Sequence, residues 1–431
     1  MTHPYAPMMF EKPLEPSYDF RKNINFYFKQ QHNKNHRVAT FNLQELVRPR
    51  LRIAIVTETW PPEINGVALS LLQLCKGLQQ RGHKILLIRP EQRLTTDAFS
   101  PNKECLVKAQ SIPKYPGLQF GWPQYLKVSQ ALTAFAPSVV HIVTEGPLGL
   151  ATLQAAKAQN IPVSSGFHSP FQDFSRFFDL AFLLKPIQRY LCWFHNNTQL
   201  TCVPSVDTEI ALRELGVVCD LKVVSRGVDI QRFSPKHRSE KLRQQWGAND
   251  DSTVLLYVGR LSPEKEIDLI IETFHTLRQQ QKKVQLVIVG DGPDLSRLCN
   301  ILGADQVCFT GSLTGDALAS AYASADVFVF ASQVETFGNV VLEAMASGLP
   351  VLAYNYACAQ QYVVHGRSGY LSPRGQRSAF VHSILSMPDP TTLRQMGRAA
   401  VQATQHAGWQ HPVQQLEQAL YQVTQQSVFA T

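Results

Sequence analysis

The chain has 431 residues, of which 44% are hydrophobic and 17% charged, with 41 basic and 33 acidic residues giving a net charge of +8. That length exceeds one ordinary core, so two domains of roughly 150–200 residues are expected from a composition ordinary for a globular protein. The moderate basic excess suits an anionic ligand or an anionic membrane face, without the dense basic and aromatic surface of a nucleic-acid module, so no nucleic-acid partner is expected.

Residues 1–48 read as an extension. Prolines come early, then Asn, Gln, Lys and His without a period, which predicts a disordered or loosely docked arm. From Leu51 the pattern changes. Arg52–Thr57 reads as a buried strand, followed by a Pro-Pro and Asn65-Gly66 loop, a helix from Val67 to Gln80 stopped at Gly82, and a strand Lys84–Arg89. Val139–Thr144 and Val163–Phe167 are further short apolar strands with helical stretches between them. Such alternation predicts parallel βαβ units with both sheet faces covered. A segment from Val223 to Pro235 has little periodicity, and the alternation restarts at Val254. Strands are expected at 254–259, 284–289, 307–310, 327–331 and 350–354, with helices at 267–279, 294–302, 316–324 and 340–347. The strand Pro350–Tyr354 closes the series, and a C-terminal helix from about Pro412 to Gln426 is left over. The fold class is therefore α/β, with two doubly wound Rossmann-like halves whose ligands lie beyond the carboxyl ends of the strands.

Cysteine and histidine spacing adds little chemistry. The eight cysteines are never closer than nine residues, so no C-x-x-C exists, and they read as free thiols of a reducing cytoplasm. His32 and His36 stand at i, i+4 in the polar tail, where a metal site is not expected. No apolar stretch approaches the ~18–20 residues of a spanning helix, and the N-terminus has no signal pattern, so a cytoplasmic protein is expected.

The candidate chemistry gathers at strand ends. In Gly259-Arg260-Leu-Ser-Pro-Glu-Lys265, Ser262 can cap and Pro263 can open a helix, placing Arg260 and Lys265 beside backbone N–H groups. Two fixed cations there suit a diphosphate. In Ser332-Gln-Val-Glu335-Thr-Phe337-Gly338-Asn339-Val-Val-Leu-Glu343, two carboxylates stand at E-x7-E spacing. One is in a loop where it can accept from sugar hydroxyls, and one is on a helix where it can accept from a ribose diol. Gly338 allows close backbone approach. Gly290-Asp-Gly-Pro293 is an incomplete dinucleotide fingerprint. Asn65-Gly66 is a further possible phosphate cradle, His168 follows a strand at the cleft edge, and Arg226 can face the cleft from the hinge. An aromatic, basic run (Phe171, Phe174, Arg176, Phe177, Phe178, Phe182, Lys185, Arg189, Tyr190, Trp193, Phe194) is either core or an amphipathic membrane-facing surface.

Together, Gly66, His168, Arg260, Lys265 and the Glu335/Glu343 pair resemble the retaining glycosyltransferases of family 4, with the GT-B fold, over about Arg52–Glu417. Val-Gly-Arg-Leu-Ser-Pro-Glu-Lys and Glu-Thr-Phe-Gly-Asn-Val-Val-Leu-Glu look like that family's donor domain. Thr57-Glu-Thr-Trp-Pro-Pro-Glu-Ile-Asn-Gly and Phe167-His-Ser-Pro-Phe look like its bacterial branch, which includes GDP-mannose-dependent α-mannosyltransferases and enzymes acting on lipid acceptors. The resemblance implies an acceptor domain over 49–222, a donor domain over 223–405 and a C-terminal helix within 406–431 that packs back on the first domain. It implies that Arg260 and Lys265 hold the donor diphosphate and that Glu335 and the amides of Phe337, Gly338 and Asn339 meet sugar or phosphate. Glu343 would meet the ribose, Gly66 and Gly290 would admit the donor, and His168 would contact the sugar near the reacting carbon. The family usually has two glycines in the first loop, where residue 65 here is Asn. With no D-x-D in the chain, no metal and no other cofactor is expected; the partners implied are a nucleotide-diphosphate sugar and a lipid-linked or glycan acceptor, with peripheral contact to an anionic membrane. A UDP-sugar donor is the alternative. A Rossmann oxidoreductase lacks support, because no complete G-x-G-x-x-G stands in strand–helix context.

Overall fold

The computed structural model describes residues 48–428 except 64, 93–98, 113–114, 169–183, 250, 281 and 303–306. The expected N-terminal arm through residue 47 and the aromatic run from Phe171 to Phe182 lie outside the described residues.

The strands of the first half are β1 (Arg52–Val56), β2 (Lys84–Pro90), β3 (Lys103–Val107), β4 (Ala109–Ile112), β5 (Tyr115–Gly121), β6 (Val139–Ile142), β7 (Val163–Gly166), β8 (Leu200–Val203) and β9 (Asp220–Val223). β4 and β5 form an antiparallel ribbon. The others make one parallel sheet in the order β3-β2-β1-β6-β7-β8-β9. Both faces are covered, so β1 and β6 are almost wholly buried rather than alternating. One face packs on helix Gly66–Gln80 and the C-terminal helix Gln410–Val428, the other on helices Tyr125–Phe135 and Pro147–Ala158. The first helix starts where Asn65 accepts from the Ala68 amide at 2.8 Å, and it ends before Gly82 at φ +89°.

The second half contains β10 (Thr253–Val258), β11 (Val284–Val289), β12 (Val307–Gly311), β13 (Val327–Phe330), β14 (Val351–Tyr354) and β15 (Gly369–Ser372), all parallel in the order β12-β11-β10-β13-β14-β15. The sheet thus does not close at β14 as the sequence pattern suggested. β15 has only four residues and two of them are half-buried, too little for an apolar run to mark. In the first half, β3, β8 and β9 were likewise not foreseen: β3 and β9 are edge strands that carry charged residues, and β8 is a short run broken by Thr201.

In each sheet the strand order reverses once, between β1 and β6 and between β10 and β13. Those switch points open crevices beyond the strand ends. The loops after β1, β10 and β13 carry Gly66, Arg260 with Lys265, and Glu335.

The chain crosses between the halves twice. After β9, residues 224–233 enter the second half; after helix Pro390–Thr404, which packs on helix Asn339–Ala346, residues 405–409 return. The crossings touch: the Val228 amide donates to the Ala407 carbonyl at 2.9 Å, and a Cβ on Gly227 would come within 2.9 Å of the Trp409 backbone. Helix Gln410–Val428 then seals the first core with Val413, Leu416, Ala419 and Leu420. Its buried Glu417 takes Arg81 at 2.7 Å and His83 Nε2 at 2.7 Å. Burial alone would raise the Glu417 pKa, but the bonds from His83 and Arg81 outweigh it and bring the carboxyl down to about 2.

Candidate active site

The second-half crevice is built around one ion pair. Lys265 closes a 3₁₀ turn, Pro263–Lys265, just past β10. Its buried Nζ donates to Glu335 Oε1 at 2.5 Å, to Ser332 Oγ at 3.2 Å and to the Val334 carbonyl at 3.3 Å. Ser332 Oγ also lies 3.1 Å from Glu335 Oε1. The cation expected at phosphate and the carboxylate expected at sugar are therefore held against each other across the β10–β13 switch point. Ser332, buried at the end of β13, had not been singled out; its place between two charged residues becomes visible only in three dimensions. Ser262 was expected to cap with its side chain and does not: its hydroxyl donates to Glu264 Oε1 at 2.6 Å instead. Arg260 lies on the exposed loop before this turn.

Beyond Glu335 the backbone reaches helix Asn339–Ala346 through Gly338 at φ +92°. A Cβ there would meet nothing closer than 3.7 Å, so the left-handed conformation, not crowding, requires glycine. No side chain caps this helix and no acid stands in its first turn, leaving a positive N-terminus facing the crevice loop. Phe337 turns its ring into the core, so only its backbone borders the loop. Glu343, one turn on, is half-buried and accepts from Tyr322 Oη at 2.9 Å. Burial raises its pKa to about 7 in spite of that bond.

Gly290 has a structural explanation that its motif did not suggest. A Cβ would lie 1.9 Å from the Gly259 carbonyl oxygen, and one on Gly292 would lie 2.2 Å from that of Leu261. What approaches this backbone is the neighbouring Gly259–Leu261 loop.

On the first half, Gly66 opens its helix with empty space where a Cβ would stand. Asn65 is occupied as the N-cap, and its amide donates to Thr59 Oγ1 at 2.6 Å. Glu58, another strand-end acid, accepts from the Leu148 amide at 2.9 Å and from Gly121 N; burial still lifts it to about 7. It ties loops together at the start of helix Pro147–Ala158. His168 follows β7 and is half-buried, with Nδ1 2.8 Å from Arg226 Nη2. Burial, then Arg226, His141 and His195, hold the imidazole well below its ordinary pKa.

Among the described residues, bonds that join the halves directly include Asn339 Nδ2 to Ser70 Oγ at 3.2 Å, Ser205 Oγ to the Thr336 carbonyl at 3.3 Å, and the Ala357 amide to Asp207 Oδ2 at 2.9 Å. The loop from Glu335 to Asn339 is thus gripped from the opposite half by Ser70 and Ser205, residues that carry no motif.

Comparison with known proteins decides the family. The model for Glycosyltransferase Family 4 matches residues 64–232, and that for Glycosyl transferases group 1 matches residues 238–402. A GDP-mannose-dependent alpha-mannosyltransferase of Mycobacterium tuberculosis (strain CDC 1551 / Oshkosh) is 34% identical over 330 residues, covering 76% of this chain and 85% of that protein. The chain belongs to glycosyltransferase family 4. It is also similar to the alpha-monoglucosyldiacylglycerol synthase of Streptococcus pneumoniae (strain ATCC BAA-255 / R6), 28% identical across 79% of each chain. The crystal structure of Anabaena HepE in complex with UDP and glucose superposes with a TM-score of 0.68 at 22% identity, over 86% of this chain and 100% of that one. This family-4 enzyme therefore has the GT-B fold and transfers a hexose from a nucleotide donor. Among the described residues no helix is long and apolar enough to cross a membrane.

Proposed function

We propose that the enzyme transfers mannose from GDP-mannose, with retention and without a metal, to a hydroxyl of a lipid-linked or glycan acceptor. The observation that carries this reading is the Lys265–Glu335–Ser332 cluster beside the uncapped helix N-terminus. It offers fixed positive charge to a leaving diphosphate and an adjacent carboxylate to sugar hydroxyls. Arg260 and Lys265 stabilise the charge that grows on the diphosphate as the sugar leaves. Glu335 and the amides of Gly338 and Asn339 orient the sugar, Glu343 takes the ribose, and His168 meets the sugar from the first half. The acceptor hydroxyl attacks on the face the nucleotide leaves, and its proton passes to the leaving phosphate oxygen. The donor assignment is supported by the identity to the mannosyltransferase; an amphiphilic acceptor is supported by the similarity to a diacylglycerol glycoside synthase.

A membrane-facing first half is supported by helix Leu184–Asn196. Lys185, Arg189 and Trp193 are all exposed and stand at i, i+4, i+8 on one face, while Phe194 is buried in the core. The test is donor hydrolysis and transfer with GDP-mannose, GDP-glucose, UDP-glucose and UDP-galactose, each with and without EDTA. GDP-mannose should be turned over fastest, and EDTA should leave the rate unchanged. Preference for a UDP-sugar refutes the donor; a strict, restorable need for Mg²⁺ or Mn²⁺ refutes the cation-only treatment of the diphosphate.

A further inference from the structure

We infer that Arg226 is a positioning residue that locks His168 as the neutral Nε2–H tautomer, making it a hydrogen-bond donor with no free lone pair to act as a base. The inference rests on the proposed contact of His168 with the sugar. Arginine has only donors, so the 2.8 Å bond from Arg226 Nη2 requires Nδ1 of His168 to be the unprotonated nitrogen. A neutral ring then carries its proton on Nε2. Arg226 is buried, and although burial lowers its pKa to about 10, it stays charged at neutral pH.

The surroundings point the same way. The groups facing the imidazole are Arg226 from the first crossing, His141 from β6 and His195 from helix Leu184–Asn196. His141 is itself held to about 4 by burial and then by Arg226, so it is neutral, and its Nδ1 lies 2.9 Å from Ser164 Oγ. Among the described residues no carboxylate is ion-paired with His168, and the acid near this cluster, Glu145, lies against His195 at 3.2 Å. Nothing there rewards a proton on Nδ1. Gly166 supplies the other half of the arrangement. It is the last residue of β7, two before His168, and a Cβ there would stand 2.7 Å from His168 Nε2. Any side chain at 166 would cover the nitrogen whose N–H is the group on offer. Arg226 thus engages one nitrogen, and glycine keeps the other uncovered.

The measurement is a two-bond ¹H–¹⁵N spectrum of protein labelled in histidine, with His168 assigned from its loss in His168→Ala. His168 should show the Nε2–H pattern at neutral pH. In Arg226→Met the pattern should become a mixture of the Nε2–H and Nδ1–H forms, and kcat should fall about tenfold at little cost in donor KM, less than the ~10²–10³ expected for losing a stabilising donor outright. Arg226→Lys, which keeps a charged donor, should keep the wild-type spectrum, and it serves if Arg226→Met does not fold. An Nδ1–H pattern or titration near 6.5 in the wild type, or an unchanged Nε2–H pattern in Arg226→Met, overturns the lock. Wild-type turnover in His168→Ala would instead remove the sugar contact, leaving the spectrum to judge the tautomer.

Discussion

The ionisation of Glu343 should make donor binding depend on pH in a calculable way. Its carboxylate is proposed to accept hydrogen bonds from the ribose diol, so the protonated form binds the donor less well. Burial raises its pKa to about 7. If only the anion makes the contact, the apparent dissociation constant is multiplied by one plus the ratio of protonated to ionised forms. That factor is about 11 at pH 6 and about 1.1 at pH 8, a tenfold tightening, or about 1.4 kcal/mol. Calorimetry with an intact nucleotide sugar is the appropriate assay, because its diphosphate diester does not titrate in this range. Glu343→Gln should bind with little dependence on pH, near the wild-type affinity at pH 6. Tyr322→Phe removes the hydroxyl that donates to Glu343 at 2.9 Å and lowers its pKa, so the midpoint should move to higher pH. Flat wild-type affinity between pH 6 and 8, or the same slope in Glu343→Gln, would refute the ribose assignment.

Arg260→Ala and Lys265→Ala should each lower kcat/KM by ~10²–10³, and Glu335→Gln should reduce turnover more than donor affinity; unaltered steady-state kinetics in both cation variants would contradict their role. Glu417→Gln should destabilise the protein by about 3 kcal/mol at neutral pH, read from denaturant melts. The Glu417 pKa falls from 4.5 unfolded to about 2 folded, so this stability is present above 4.5 and lost as pH drops toward 2. Flotation with liposomes containing phosphatidylglycerol should show binding that weakens with salt and drops in Trp193→Ala; indifference to anionic lipid at low salt would remove the membrane contact.

What could be read in the sequence depended on how local its cause was. The strands β1, β10 and β11 are nearly continuous apolar runs, with Arg52, Thr253 and Gln285 the exceptions, because parallel sheets are covered on both sides, and that pattern needs no knowledge of neighbours. Edge strands that carry charge, such as β3 and β9, have no such signal, since their placement is decided by the strand they join. The site divides the same way. Arg260, Lys265, Glu335 and Glu343 stand in short runs whose spacing is meaningful on its own. Ser332, Tyr322, Ser70 and Ser205 are ordinary residues made relevant by folding, their partners lying 3, 21, 269 and 131 positions away. Gly290 is the instructive case. The requirement for glycine was legible, but its cause, the carbonyl of Gly259, belongs to a loop thirty-one residues earlier.

The two crossings between the halves touch at Gly227 and Trp409 and are bonded through Val228 and Ala407. Two covalent connections placed side by side act as one axle, not as two independent tethers. The halves can turn about that line, whereas sliding past one another would have to drag both strands of chain together. Turning breaks the bonds that join the halves directly, Ser70–Asn339, Ser205–Thr336 and Asp207–Ala357. The Arg226–His168 bond, one residue from Gly227, sits on the axle itself. A turn about that line would loosen the grip of Ser70 and Ser205 on the Glu335–Asn339 loop without parting Arg226 from Gly227.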